Sequence, residues 1–238
     1  MFNLSGNKEL KLTDGSSIKY ELIKKSRRTV SLKITPKGLI VIAPILMSYN
    51  KIEKLLIKKS SWIQKKLLLI PKDTKPFQIR DGEKFDIFGN EYMIVLCSGK
   101  NNIIIEKNKC LIYFKNLSDQ LKLKKFFLVW IKEYALKYYS KRVSTLCKIN
   151  NFDTRAILIS NAKTRWGTCN SKKEIRLNWR LIQSPKYIID YVICHELSHL
   201  KFMNHSKEFW EQVEKLFPNY KKAEIFLRDN GFKLYKLD

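Results

Sequence analysis

The chain has 238 residues, and several things are scarce in it. No run approaches the ~18–20 consecutive apolar residues that a membrane span needs, so no membrane partner is expected. Met1 to Leu10 lack a basic segment followed by an apolar one, so no secretory signal is read and a cytoplasmic location is expected. Cysteines number five, an odd count, and none forms a CxxC pair. That argues against a disulfide framework and against a thiolate zinc site, and leaves reduced thiols. There is no internal repeat and no low-complexity tail. Histidine is the scarcest informative residue: three in all, falling within the eleven positions from His195 to His205.

Acidic residues are also few, 22 against 47 basic, for a net charge of +25. Two readings fit this excess. It could attract nucleic acid or nucleotides. Alternatively it reflects composition, because lysine supplies 38 of the basic residues, arginine only 9, and the lysines are scattered along the chain.

Hydrophobic residues make up 45% of the chain, enough for a proper core. Residues 17–43 alternate apolar and polar positions (Ile18, Tyr20, Leu22; Val30, Leu32, Ile34; then Leu39 to Ala43), with a turn signal at Pro36-Lys37-Gly38. This predicts a β-meander. Ser48 is expected to cap a helix reaching about Leu69, with Ile52, Leu55, Leu56, Trp62 and Ile63 on its apolar face. Pro71 to Pro76 read as a linker-like break. Two hairpins are expected next, centred on Gly89-Asn90 and Lys107-Asn108. Leu117 to Ile149 contain neither Gly nor Pro and predict a long helix, its apolar face built from Leu121, Phe126, Val129, Trp130, Tyr134, Leu136, Tyr138 and Val143. Further on, Ala156 to Ile159 and Ile175 to Trp179 read as strands around a polar loop, Thr164 to Asn170. Pro185 suits the first position of another helix.

That helix carries His195-Glu196-Leu197-Ser198-His199, an HExxH. Residues four apart share a helix face, about 6 Å apart along the axis, so two imidazoles can converge on one zinc ion. Glu196, one residue along, can reach a water in the metal's open position and act as general base. The pattern alone is short. Here the flanking Tyr187, Ile188, Tyr191, Val192, Leu197 and Leu200 describe a buried helix, and the third histidine follows closely. On a straight helix His205 would lie about 15 Å from His195 along the axis, so the helix must end between Leu200 and Asn204. Asn204 or Ser206 would then cap a following helix, Lys207 to Leu216. With His205, the site has three protein ligands and one open position, as catalytic zinc does. Glu208 and Glu211 are the alternative third ligands. Cys194 precedes His195 and should face away from it, since neighbours on a helix point about 100° apart.

The run from Arg165 to Trp210 resembles the YgjP-like metallopeptidases, which are similar to SprT-type minimal zincins. The resemblance rests on Arg165-Trp166-Gly167-Thr168-Cys169, on Leu177 to Ile182, and on Tyr191 to Trp210; Lys25 to Pro44 and Trp62-Ile63 also fit. Thr168 stands where serine is more frequent, which keeps the hydroxyl. His-x5-His is also the metzincin spacing, but Phe202 occupies the metzincin glycine position and no Met-turn is present. The resemblance implies an α+β fold: a β-rich N-terminal region with one helix over 1–116, then a long helix and a zincin-like catalytic part with the HExxH helix over 117–238. It implies a zinc metallohydrolase, first of all a metallopeptidase taking a peptide or protein substrate. A nucleoside triphosphate such as UTP is the alternative substrate, and a nucleic-acid-associated SprT-like protease or binding module is a third reading. In zincins an edge strand beside the HExxH helix lines the substrate groove, and Ile175 to Trp179 is the candidate for it. Arg165 and Trp166 have two readings: contacts to the substrate, or a structural clamp on backbone and core. Arg180 reads as structural.

Overall fold

The computed structural model describes residues 5–12, 14–35, 38–68 and 77–238. The chain is a mixed α+β protein that divides into two compact units, Met1–Lys75 and Pro76–Asp238. The boundary expected at 116/117 therefore falls inside the second unit, whose sheet and long helix share one core. The expected break at Pro71 to Pro76 and the turn residues Pro36 and Lys37 lie outside the described residues.

The first unit has strands β1 (Ser5–Lys11), β2 (Ser17–Lys25), β3 (Ser31–Thr35) and β4 (Gly38–Pro44) in the order β1-β2-β4-β3. This is not the meander that alternation suggested, because β4 pairs parallel with β2 and β3 lies outside it. The most continuously apolar strand, Gly-Leu-Ile-Val-Ile-Ala-Pro, takes an inner position, where both of its edges are covered. Ile18, Tyr20, Leu22, Leu39, Val41 and Ala43 form one buried face against Ile52, Leu56 and Ile63. Those three belong to α1 (Tyr49–Lys58) and α2 (Ser60–Leu68). The single expected helix is thus broken at Lys59, and Trp62 is exposed while its neighbour Ile63 is buried. Ser48 takes the N-cap position without a side-chain capping bond.

The second unit opens with β5 (Lys84–Ile87), β6 (Asn90–Ser98), β7 (Asn102–Glu106) and β8 (Lys109–Phe114), in the order β5-β6-β8-β7. The first hairpin turns at Phe88-Gly89, both with positive φ, as a tight primed turn requires. Helix α3 (Gln120–Asn150) is capped by the Asp119 carboxylate, which accepts from the Lys122 backbone N–H at 3.0 Å. It ends on Asn151 in the left-handed conformation. Its buried stripe is Leu123, Phe127, Ile131, Ala135, Tyr139, Val143 and Cys147, each four residues after the last. Of the expected face only Val143 belongs to it; Phe126, Trp130, Tyr134 and Tyr138 pack half-buried beside it, and Leu121 and Val129 are exposed. Apolar residues lie all round this helix, so composition alone did not reveal which stripe meets the core.

A second sheet holds β9 (Ala156–Ser160), β10 (Gly167–Cys169) and β11 (Glu174–Asn178) in the order β10-β11-β9. After a 3-10 turn at Trp179–Gln183 come α4 (Lys186–Ser198), α5 (Lys207–Leu216), α6 (Tyr220–Asn230) and a last 3-10 turn, Gly231–Tyr235. The Phe88-Gly89 turn docks on the chain just before α4. Phe88 N–H donates to the Ile182 carbonyl at 2.7 Å and Gly89 N–H to Gln183 at 3.2 Å. Among the described residues no helix is long and apolar enough to cross a membrane.

Candidate active site

Helix α4 is apolar nearly all round and correspondingly buried, which carries its last turn into the interior. It ends at Ser198, with His199 as its C-cap, two residues earlier than the spacing argument placed the end. The chain then turns sharply: Leu200 N–H donates to Leu197, and Phe202 N–H to Ser198. Ser206 takes the N-cap position of α5. The tight connection folds His205 back over α4, as the geometry demanded.

One ligand atom from each of His195, His199 and His205 lies within 4.8 Å of the others. Nε2 of His195 faces Nε2 of His205 at 3.1 Å. Two nitrogens bound to one tetrahedral zinc at about 2.0–2.1 Å would be roughly 3.3 Å apart, so the pair is spaced as co-ligands are. His199 Nδ1 donates to the Phe202 carbonyl at 3.0 Å, which fixes its tautomer and leaves Nε2 bare. Burial pulls the His195 pKa down to about 3, helped by the neighbouring imidazoles, and burial lowers that of His199. Both rings are therefore neutral near pH 7, the form that ligates a metal. The three imidazoles fit a single metal ion. Glu208 and Glu211, the alternative third ligands, are exposed and outside the cluster, and Glu211 pairs with Lys207 at 3.5 Å.

Glu196 is 4% exposed, and its Oε2 is buried without a hydrogen-bond partner. Burial in these surroundings pushes its pKa up to about 8. Its carboxylate rests on Gly167 of β10: a Cβ added there would meet Glu196 Oε1, with Cγ 2.7 Å away. The glycine of the Arg-Trp-Gly-Thr-Cys segment is thus where the strand and the carboxylate approach most closely, a role that spacing alone did not disclose.

All six candidate residues line one cavity of about 480 Å³, together with Thr168, Cys169, Tyr191, Val192, Met203 and Leu227. Arg165 is exposed at the rim, and its guanidinium makes no hydrogen bond among the described residues. Trp166 is half-buried, its ring lying against Gly231 and 5.7 Å from the Tyr235 ring. Arg180, by contrast, is 3% exposed, bonded to the Asp238 carboxylate at 2.6 Å and sandwiched near Trp179 and Tyr235. Cys194 points away toward Leu216, whereas Cys169 faces the cavity.

The strand beside the site is not the one expected from the sequence. β11, the expected edge, is the central strand, paired with β10 on one side and β9 on the other. The sheet edge at the cavity is β10, Gly167–Cys169. In sequence it is too short to show strand periodicity, and so it read as loop.

A family model described as "YgjP-like, metallopeptidase domain" matches residues 28–230. Among solved structures, the metallopeptidase zymogen of Pyrococcus abyssi abylysin is 23% identical, with a TM-score of 0.34, over 38% of this chain and 93% of that one. The metallopeptidase zymogen of Methanocaldococcus jannaschii jannalysin is also 23% identical, with a TM-score of 0.32, over 38% and 91%. No curated protein matches the sequence.

Proposed function

The chain belongs to the YgjP-like metallopeptidase family, and on that premise we propose that it is a zinc-dependent peptidase acting on extended peptide segments. In this reading His195, His199 and His205 hold the ion and Glu196 is the general base. A zinc ion bound there supplies Lewis-acid activation of water and of the substrate carbonyl. Glu196 takes the proton of the attacking water on its unpartnered oxygen and passes it to the leaving amide nitrogen. Burial disfavours the charged carboxylate, which strengthens its hold on that proton between the two transfers.

The observation that carries the reading is the edge strand. β10 runs along the cavity with Gly167 against the Glu196 carboxylate, so a chain added to its free edge would lie beside the base. Arg165, at the rim, would meet a carboxylate of the substrate, and Trp166 would wall the cavity. Arg165 is also the single Lys or Arg among the described lining residues, which suits a peptide better than a triphosphate.

The test is to incubate zinc-loaded protein with a mixed peptide pool and with nucleoside triphosphates, following products by mass spectrometry. Peptide cleavage by the wild type is expected, with none by Glu196→Gln at unchanged zinc content. Triphosphate hydrolysis without peptide cleavage, or full activity in Glu196→Gln, overturns the reading.

A further inference from the structure

The three histidines are not held alike. A ligating imidazole ordinarily donates its second ring nitrogen to a carbonyl or carboxylate, which fixes its plane. His199 does so, through the Phe202 carbonyl. His195 does not: its Nδ1 is buried without a partner. The hydrogen bond described for the His205 ring runs to His195 itself. Once both Nε2 atoms are given to a metal ion that bond is lost, so something other than hydrogen bonding must then keep the two rings turned toward each other.

One side chain touches all three. Phe209, 0% exposed, stacks on His199 with ring centroids 4.5 Å apart and planes 30° apart. It meets His195 at 5.0 Å and 75°, and His205 at 4.7 Å and 80°, both nearly edge-to-face. These are the geometries that aromatic quadrupoles favour. The sequence makes the contact unavoidable. α5 starts two residues after His205, its buried positions are Phe209 and Val213, and so the first buried side chain falls under the histidine it follows. Trp210 braces the exposed His205 from the side, with planes 29° apart and centroids at 5.9 Å.

We propose that Phe209 is the positioning residue of the metal site: its ring sets the planes of His195 and His205, as the Phe202 carbonyl sets that of His199. The proposal rests on the reading of the three histidines as ligands. It assigns Phe209 no contact with substrate.

The experiment uses the full chain and two metals. Zinc affinity is measured by competition with a chelator, and ligand geometry by the visible absorption of the cobalt(II)-loaded protein. Wild type is compared with Phe209→Leu and with Val213→Ala, which cuts into the same core one turn along α5. Phe209→Leu should weaken zinc binding about 10–100-fold, the range for lost support of a ligand. It should also change the position and intensity of the cobalt bands. Val213→Ala should lower the melting temperature and leave affinity and spectrum as in the wild type. If Phe209→Leu does not fold, Phe209→Met, which keeps volume without a flat ring, takes its place with the same expectation. Wild-type affinity and spectrum in the ring-less variant overturn the proposal, as does an equal loss in Val213→Ala. A wild type that takes up no metal is a separate failure, of the histidine site itself and of Phe209's role with it.

Discussion

The two units differ most in what they bury. Met1–Lys75 carries 17 basic and 5 acidic residues and no histidine, and its core is an apolar sheet face closed by two short helices. Among the described residues, Lys66 is its one buried polar side chain. Pro76–Asp238 buries seven, all between Asn178 and His199. Six of the seven make hydrogen bonds without leaving a buried side-chain atom unpartnered. Asn178 donates to the Ala162 and Arg165 carbonyls, Arg180 to Asp238, Gln183 to Leu234, Ser184 to Leu181, Ser198 to Cys194 and His199 to Phe202. Glu196 alone keeps a buried oxygen without a partner. A buried polar group costs free energy unless it is bonded, and the neighbouring His195 Nδ1 is likewise buried without a partner. Among the described residues the first unit has one unpartnered buried side-chain atom, Arg27 Nε, whereas the second gathers two, Glu196 Oε2 and His195 Nδ1, at one site.

The contrast can be broken most completely at the histidines proposed to hold the metal. His195→Ala or His199→Ala should lose the bound metal, from one equivalent to near zero by elemental analysis, and all turnover with it. Gly167→Ala comes next. The new methyl collides with the Glu196 carboxylate, and a displacement of about 1 Å at a catalytic group costs on the order of a hundredfold in rate. Zinc content should stay unchanged, which separates this variant from the histidine ones. Asn178→Ala strips donors from two carbonyls of the segment leading into β10 and should cost about 2–3 kcal/mol, read as a fall in denaturation midpoint.

A gentler test concerns pH. In the metal-free protein the Glu196 pKa stands near 8 against an ordinary 4.5. Between those values the folded chain binds a proton that the unfolded chain has released, so stability falls as pH rises through that window. Glu196→Gln removes the titration. It should melt higher than the wild type, by a margin that grows from pH 5 to pH 8; a constant margin would mean the carboxyl is not held in its neutral form. The smallest effect on the site is expected from Leu56→Ala in α1. It should destabilise the first unit by about 2–5 kcal/mol and leave zinc affinity as it was.

Local patterns were legible from the sequence and pairings were not. The HExxH helix, the need for a turn before His205, and α5 at Lys207–Leu216 all follow from residues within a few positions of one another. The turn came two residues earlier than expected because His199 itself ends the helix. The parallel pairing of β2 with β4 and the central place of β11 depend on which strands meet, which alternation does not encode. Helix α3 hid its buried stripe because apolar side chains surround it. At the site, Gly167 and Phe209 were missed for one reason: each matters through a contact across elements, one with Glu196 and one with three imidazoles.

The docked turn at Phe88-Gly89 joins the four-stranded sheet to the start of α4. A Cβ on Gly89 would lie 3.0 Å from the Pro185 ring, immediately before the first residue of that helix. The two backbone N–H groups of this joint donate to Ile182 and Gln183, so both are held in hydrogen bonds while the joint is closed. Deuterium uptake at Phe88 and Gly89 therefore clocks the seating of the histidine-bearing helix, from a place some hundred residues away in sequence that touches no ligand.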